Sequence, residues 1–209
     1  MAARGRLPGE RRGARAAGVA AVAQRLTELS ARHGLLQWLS LGLMLRQWAA
    51  VVHGAMDPVP LADGVRMYED LGARMAITYW RSLLAEAYAH IGLHDLALTE
   101  IERCIVAART GGEAFHLVEL LRTKGGWLWQ SGAAAEAETC YRDALDEAAR
   151  QGALLTELRT TVDYGRLLVE TGRQEIAAAL LAHVLARYPT GSDDADFVAA
   201  ERLNASLVS

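Results

Sequence analysis

Residues 79–92 read YWRSLLAEAYAHIG, and residues 93–111 read LHDLALTEIERCIVAARTG. The first stretch has a helical apolar period and runs into a glycine. The second resumes that period almost at once, with Leu96, Ile101 and Ile105 at helical spacing. A residue just past a helix end must often turn left-handed, which glycine does cheaply. Gly92 therefore predicts a stop between two antiparallel helices. The pattern is written twice more. Residues 119–132 read ELLRTKGGWLWQSG and 133–151 read AAAEAETCYRDALDEAARQ, with Tyr141 and Leu145 spaced as one face. Residues 159–172 read RTTVDYGRLLVETG and 173–191 read RQEIAAALLAHVLARYPTG. Gly34, Gly72, Gly112 and Gly152 form one series, and Gly54, Gly92, Gly132 and Gly172 another, each with steps of 38, 40 and 40. Two glycines per period of this length predict a stack of helix pairs.

Working outward, residues 35–72 form an earlier and less regular unit around Gly54. The helix before it, 19–33, looks like the second half of a truncated unit. Residues 194–207 predict a helix that closes the stack. The expected organisation is a disordered basic leader at 1–18 and a repeat domain at 19–209. The domain divides into a part-unit 19–34, units 35–72, 73–112, 113–152 and 153–191, and a closing helix 194–207. The leader carries Arg4, Arg6, Arg11, Arg12 and Arg15 against Glu10. It could also serve as a basic arm touching an anionic surface. No apolar core with a cleavage pattern follows the arginines, so it does not read as a secretory signal.

Composition narrows the class. The chain has 209 residues, 52 % of them hydrophobic, and can bury a large core. Its net charge of −3 gives no reason to expect a nucleic-acid partner. The most apolar stretch, 35–52, contains Gln37, Arg46 and Gln47. An arginine near the middle of a lone span is costly, so a buried helix is expected and no membrane contact. Cys104 and Cys140 fall within helical patterns and predict reduced, buried thiols in a cytoplasmic protein.

No GxxxxGK[ST], GxSxG, HExxH or CxxC is present. The expectation is therefore no enzyme, no cofactor and no metal site. His90 and His94 have a spacing that can share a metal, but Gly92 breaks the helix between them, so a solvated turn is expected. His116 and Glu119 read as a helix cap and surface polarity. Asn204-Ala205-Ser206 matches a glycosylation sequon without meaning for a cytoplasmic chain.

The repeat resembles the tetratricopeptide repeat. That family places a small residue seven before the turn glycine, another five after it and a third twelve after it. Here these are Ala85, Gly125 and Gly165; Ala97, Ala137 and Ala177; and Cys104, Ala144 and Val184. Small side chains at those places let helices approach closely. Large residues fill between them: Tyr88, Leu128 and Leu168, with Ile101, Tyr141 and Leu181. Pro189 holds the place where family repeats often end in proline. The period of 40 departs from the usual 34, which longer second helices would explain. The resemblance implies an all-α, right-handed superhelical stack of antiparallel helix pairs.

Residues 20–208 also resemble the C-terminal repeats of bacterial signalling ATPases that accompany class III adenylate or guanylate cyclase domains. RSLLAEAYAHIGLHDLALTEI, AEAETCYRDALDEAARQGA, ELRTTVDYGRLLVETGR and the ending ARYPTGSDDADFVAAERLNAS carry it. Trp38 and Trp48 with Gly54 resemble the helix that opens such repeats. The catalytic domains of those proteins are absent from this chain. The resemblance implies a non-catalytic interaction or regulatory scaffold. The alternative is a domain sensing a small-molecule effector inside the superhelix, as in ATPase-linked transcription regulators.

In such a stack the first helices line the concave surface. Trp38, Trp48, Trp80, Trp127 and Trp129 all lie on first helices. Trp127 and Trp129 are about 200° apart around a helix, so both cannot face the core. Counted from the turn glycine, Trp129 and Arg122 fall on groove-facing places, and Glu86 and Arg166 hold the matching place in neighbouring units. Glu86, Arg122, Trp129 and Arg166 are the candidate partner site, suited to an acidic or amphipathic peptide in the concave groove. The competing expectation is that Trp129 packs against the next repeat.

Overall fold

A computed structural model describes residues 9–111, 113–188, 192 and 194–208, with side chains from residue 18 to 207 among them. The described residues contain ten α-helices, one 3-10 turn and no strand. The helices are α1 Gly9–His33, α2 Leu36–Val52, α3 Val59–Asp70, α4 Ile77–His90 and α5 His94–Gly111. The turn Ala114–His116 follows, and then α6 Leu117–Gln130, α7 Ala134–Gln151, α8 Leu154–Glu170, α9 Gln174–Leu185 and α10 Ala195–Val208.

The glycines stop the helices where expected. α2, α4, α6 and α8 each end two residues before Gly54, Gly92, Gly132 and Gly172. At Gly132 the backbone is left-handed, φ +91. Its N–H donates to the Trp129 carbonyl at 3.0 Å, and the Ala133 N–H to the Leu128 carbonyl at 2.9 Å. This pair of bonds caps the last orphan carbonyls of the helix, and a Cβ would strain it. The same two bonds recur at Gly34, Gly54, Gly72, Gly92, Gly152 and Gly172. Gly112, Pro189 and Gly191 lie outside the described residues. α9 ends without a glycine, and the Arg187 and Tyr188 N–H groups bond back three residues in a tightened last turn.

Two expectations change. α1 begins at Gly9, so residues 9–18 of the expected leader are helical. Their alanines and arginines are strong helix formers that extend α1 backward. Residues 1–8, the rest of the leader, lie outside the described residues. Second helices are long where expected, with α5 and α7 at 18 residues each, but α9 has 12.

The chain divides into two compact units, Met1–Cys104 and Ile105–Ser209. In the first, α2 packs against α1, α3 and α4. Met44, Trp48, Leu61, Tyr68 and Leu83 form its core. α2, the most apolar segment, is thus a core helix, and no described helix is long and apolar enough to cross a membrane. Arg81 ties three helices together, donating to Glu69 on α3 at 2.8 Å and Glu100 on α5 at 2.6 Å. The turn before α4 is held by two aromatic donors. The Tyr68 hydroxyl and the Trp80 indole N–H both donate to the Met75 carbonyl, at 2.9 and 3.2 Å.

In the second unit α6 pairs with α7 and α8 with α9, α6 lies against α8, and α10 covers α8 and α9. The small residues lie at the helix contacts: Ala137, Ala144 and Ala177 are wholly buried. A Cβ on Gly125 would sit 3.0 Å from the Tyr141 ring and 3.3 Å from the Ala137 carbonyl oxygen. Tyr141 stacks on Tyr164 at 5.9 Å. Leu158, Leu181, Val184, Phe197 and Ala200 form a further core beneath α10. Cys104 in the first unit and Cys140 in the second are both buried. Burial pushes the Cys104 thiol up to about 12, which keeps it unreactive.

Glu138 on α7 gathers the start of α9. Both Arg173 Nη atoms donate to it, at 2.9 and 2.7 Å, the Tyr164 hydroxyl donates at 2.9 Å, and Arg142 pairs with it as well. The Arg173 hydrogen bonds, aided by Tyr164 and Arg142 against the cost of burial, hold the carboxyl down to about 2 from an ordinary 4.5. A carboxyl held low in the folded state contributes stability above its unfolded pKa and loses it as pH falls through the folded one. Glu138→Gln is therefore expected to be less stable than the wild type at neutral pH. In urea titrations the difference should shrink as pH drops from 4.5 toward 2. A difference independent of pH over that range would show that the carboxylate charge contributes nothing.

Candidate functional site

Helical spacing places Arg159, Asp163 and Arg166 on one face of α8, and Glu119 and Arg122 on one face of α6. These faces meet in a continuous chain of ion pairs. Asp196, in the first turn of α10, accepts from Arg159 Nε at 2.7 Å. Arg159 Nη1 lies 3.5 Å from Glu119 Oε1. Glu119 Oε2 accepts from Arg122 Nε and Nη2 at 2.9 and 2.7 Å. Arg122 Nη1 donates to Asp163 Oδ2 at 2.5 Å, and Asp163 Oδ1 accepts from Arg166 Nη1 at 3.2 Å. Acid and base alternate through all six residues, so the chain of pairs is neutral.

Its exposure is uneven. The carboxylates of Glu119, Asp163 and Asp196 are 20 %, 17 % and 16 % exposed, whereas Arg159 and Arg166 are 39 % and 42 % exposed. The acids lie low and the outer guanidiniums lie high. The surface accordingly presents N–H donors. Burial would raise the Glu119 carboxyl, but the charge and hydrogen bonds of Arg122, with Arg159 and His116 beyond, pull it below its ordinary value. Burial opposes the charge on Arg122, and Glu119 and Asp163 more than offset that, raising its pKa.

The structure brings Arg122 and Arg166 onto one carboxylate, Asp163. Arg122 sits at the closed centre of the chain and Arg166 at its open end. Trp129 shares the α6 stripe with Arg122 and is partly buried. It packs on the core of Tyr141, Tyr164, Leu167 and Leu168. Glu86 belongs to the first unit, half-buried, and accepts a hydrogen bond from Trp48 Nε1 at 3.2 Å. Position 126, which corresponds to 86 and 166, is a glycine.

Sequence reasoning missed Arg159, Asp163 and Asp196, although the i, i+4, i+7 alternation within α8 was a readable signal. It also read Glu119 as surface polarity. That residue is instead sunk between two arginines, and His116 makes no side-chain cap bond at the start of α6. His90 and His94 are exposed on either side of Gly92. An open cavity of 490 Å³ lies on α3, lined by Asp63, Arg66, Met67, Asp70 and Leu71. Three of its five lining residues are charged.

No family model and no curated protein matches this chain. Among solved structures, the fold is similar to that of BtubC (BKLC) from P. vanneervenii. The TM-score is 0.67 over 97 % of this chain and 84 % of that one. Sequence identity is 18 %, so the likeness is one of fold.

Proposed function

We propose that the chain is a non-catalytic interaction scaffold whose helix pairs continue one another as a right-handed superhelix of the tetratricopeptide type. Its partner is a protein or peptide segment rich in carboxylates, held along the face shared by α6 and α8. The observation that carries this reading is the uneven exposure of the ion-pair chain, with arginine N–H groups outermost over sunken acids. Such a surface attracts acceptors while remaining neutral overall, and its open-end arginine is free to add a bidentate contact. Assignment to a signalling ATPase or nucleotidyl cyclase system rests on the sequence resemblance of residues 20–208. The effector-sensing alternative calls for an enclosed apolar pocket. The charged, open cavity on α3 does not favour it.

Arg166 offers the clean test, because it is 42 % exposed and makes one 3.2 Å bond. Its loss should leave the melting temperature within error of the wild type, since exposed pairs contribute little. Arg166→Ala should weaken binding of an acidic peptide by about fivefold or more in fluorescence anisotropy. Equal affinity of the two proteins, or equal binding of a peptide with its acids changed to serine, overturns the reading.

A further inference from the structure

Three places in α5 and α7 lie 15, 12 and 8 residues before Gly112 and Gly152. In α5 they are Ala97, Glu100 and Cys104, and in α7 Ala137, Cys140 and Ala144, none more than 7 % exposed. The preceding first helix reaches them. Glu100 accepts the 2.6 Å bond from Arg81 of α4, and Ala137 lies against Gly125 of α6. In α1, counted from Gly34, the same places hold Val19, Val22 and Leu26, an apolar i, i+3, i+7 stripe. Val22 is 65 % exposed. The stripe has the chemistry of a covered face and lacks the cover.

The α1–α2 pair otherwise copies α7–α8. His33, Leu36 and Val52 bound its helices at the same spacing as Gln151, Leu154 and Glu170. α7, however, opens at Ala134, just past the turn that joins it to α6. The matching place in α1 is Ala16, yet α1 is already helical from Gly9. The backbone runs straight through the place of that turn, so no first helix folds back from it as α6 does from α7.

Charge selects the kind of helix that fits. At about 100° per residue, positions 11, 12 and 15, all arginine, continue the stripe toward the start of α1. Glu10 and Glu28 fall on the far side of the helix, and Arg25 and Arg32 at the edge of the stripe. Arg46 is the only charged residue of α2, and Asp57, just past that helix, accepts the Val59 N–H. Even with the far-side acids counted, six arginines against three acids leave +3. A covering helix that runs antiparallel to α1, as α6 runs to α7, brings its C-terminal turns to the arginines. We infer that the α1 stripe docks an amphipathic helix of another protein, with an apolar face and with acids in its last turns.

The probe is a fluorescein-labelled helical peptide with alanine and leucine on one face and glutamates in its last turns. It is titrated with the full chain in fluorescence anisotropy. The peptide should bind, and both a scrambled peptide and one with lysine for glutamate should bind at least about tenfold more weakly. Val22→Asp should weaken binding by about tenfold or more. Arg166→Ala should leave it unchanged, which separates this surface from the face shared by α6 and α8. Should Val22→Asp lose helical content, the double variant Arg12→Glu, Arg15→Glu serves in its place, with a loss of about fivefold or more. Failure of the acidic peptide to bind overturns the inference, as does equal binding of the scrambled peptide or binding that survives the substitutions. So does a dimer in solution that Val22→Asp dissociates, since a second copy would then cover the stripe.

Discussion

Arg122→Ala is expected to lower the free energy of unfolding by about 3–5 kcal/mol. The arginine donates three hydrogen bonds, two to Glu119 and one to Asp163, with its side chain 21 % exposed. Its removal leaves Glu119 with only the 3.5 Å approach of Arg159, and Asp163 with only the 3.2 Å bond from Arg166. Two sunken carboxylates then face each other across α6 and α8 with too little positive charge between them. The damage comes from the stranded acids more than from the lost bonds. For that reason the triple change Glu119→Leu, Arg122→Met, Asp163→Leu should recover most of the loss. Urea unfolding at neutral pH measures both. A wild-type midpoint for Arg122→Ala would show that water already reaches the two acids freely.

Tyr141→Ala is expected to cost about 3–5 kcal/mol, measured by thermal or chemical unfolding. The ring is 1 % exposed, stacks on Tyr164 and closes onto the bare backbone of Gly125. Alanine would leave a cavity between α6, α7 and α8 that the surrounding helices cannot collapse to fill. The pair should also be coupled. Gly125→Leu alone forces a side chain into the Tyr141 ring, whereas in the Tyr141→Ala background it enters vacated space. The double variant should therefore be more stable than the sum of the two losses implies, by about 1 kcal/mol or more. Strict additivity would mean that residues 125 and 141 do not share that volume.

The helix stops were legible because they depend on one local property. A glycine at φ +91 after a helical apolar run is decided by its own backbone, whatever surrounds it. The buried places of Ala137, Ala177 and Leu181 followed from the same register, since a repeat fixes which face turns inward. The ion-pair chain was less legible. The links that join its helices, Arg159 to Asp196, Arg159 to Glu119 and Arg122 to Asp163, lie 37 to 41 residues apart in sequence, and pairing at that distance depends on how adjacent repeats register. Arg122 and Arg166 were picked out as bare cations for a groove. Their shared carboxylate on Asp163 was not, although it decides how much positive charge either can offer. The state of Trp129 was open in sequence because its stripe lies at the border between groove and core, and it is partly buried against Tyr141 and Leu168.

The turn glycines bear on heredity as well as on geometry. Each capped helix end carries its whole stop instruction within six residues, from the carbonyl of the last turn to the N–H just past the glycine, as between Leu128 and Ala133. A duplicated or deleted stretch of one period therefore arrives or leaves with its own punctuation intact. No neighbour has to change sequence for the next helix to start in phase. Copy number in such a gene is free to drift by recombination, and selection can act on the length of the array before acting on any single side chain.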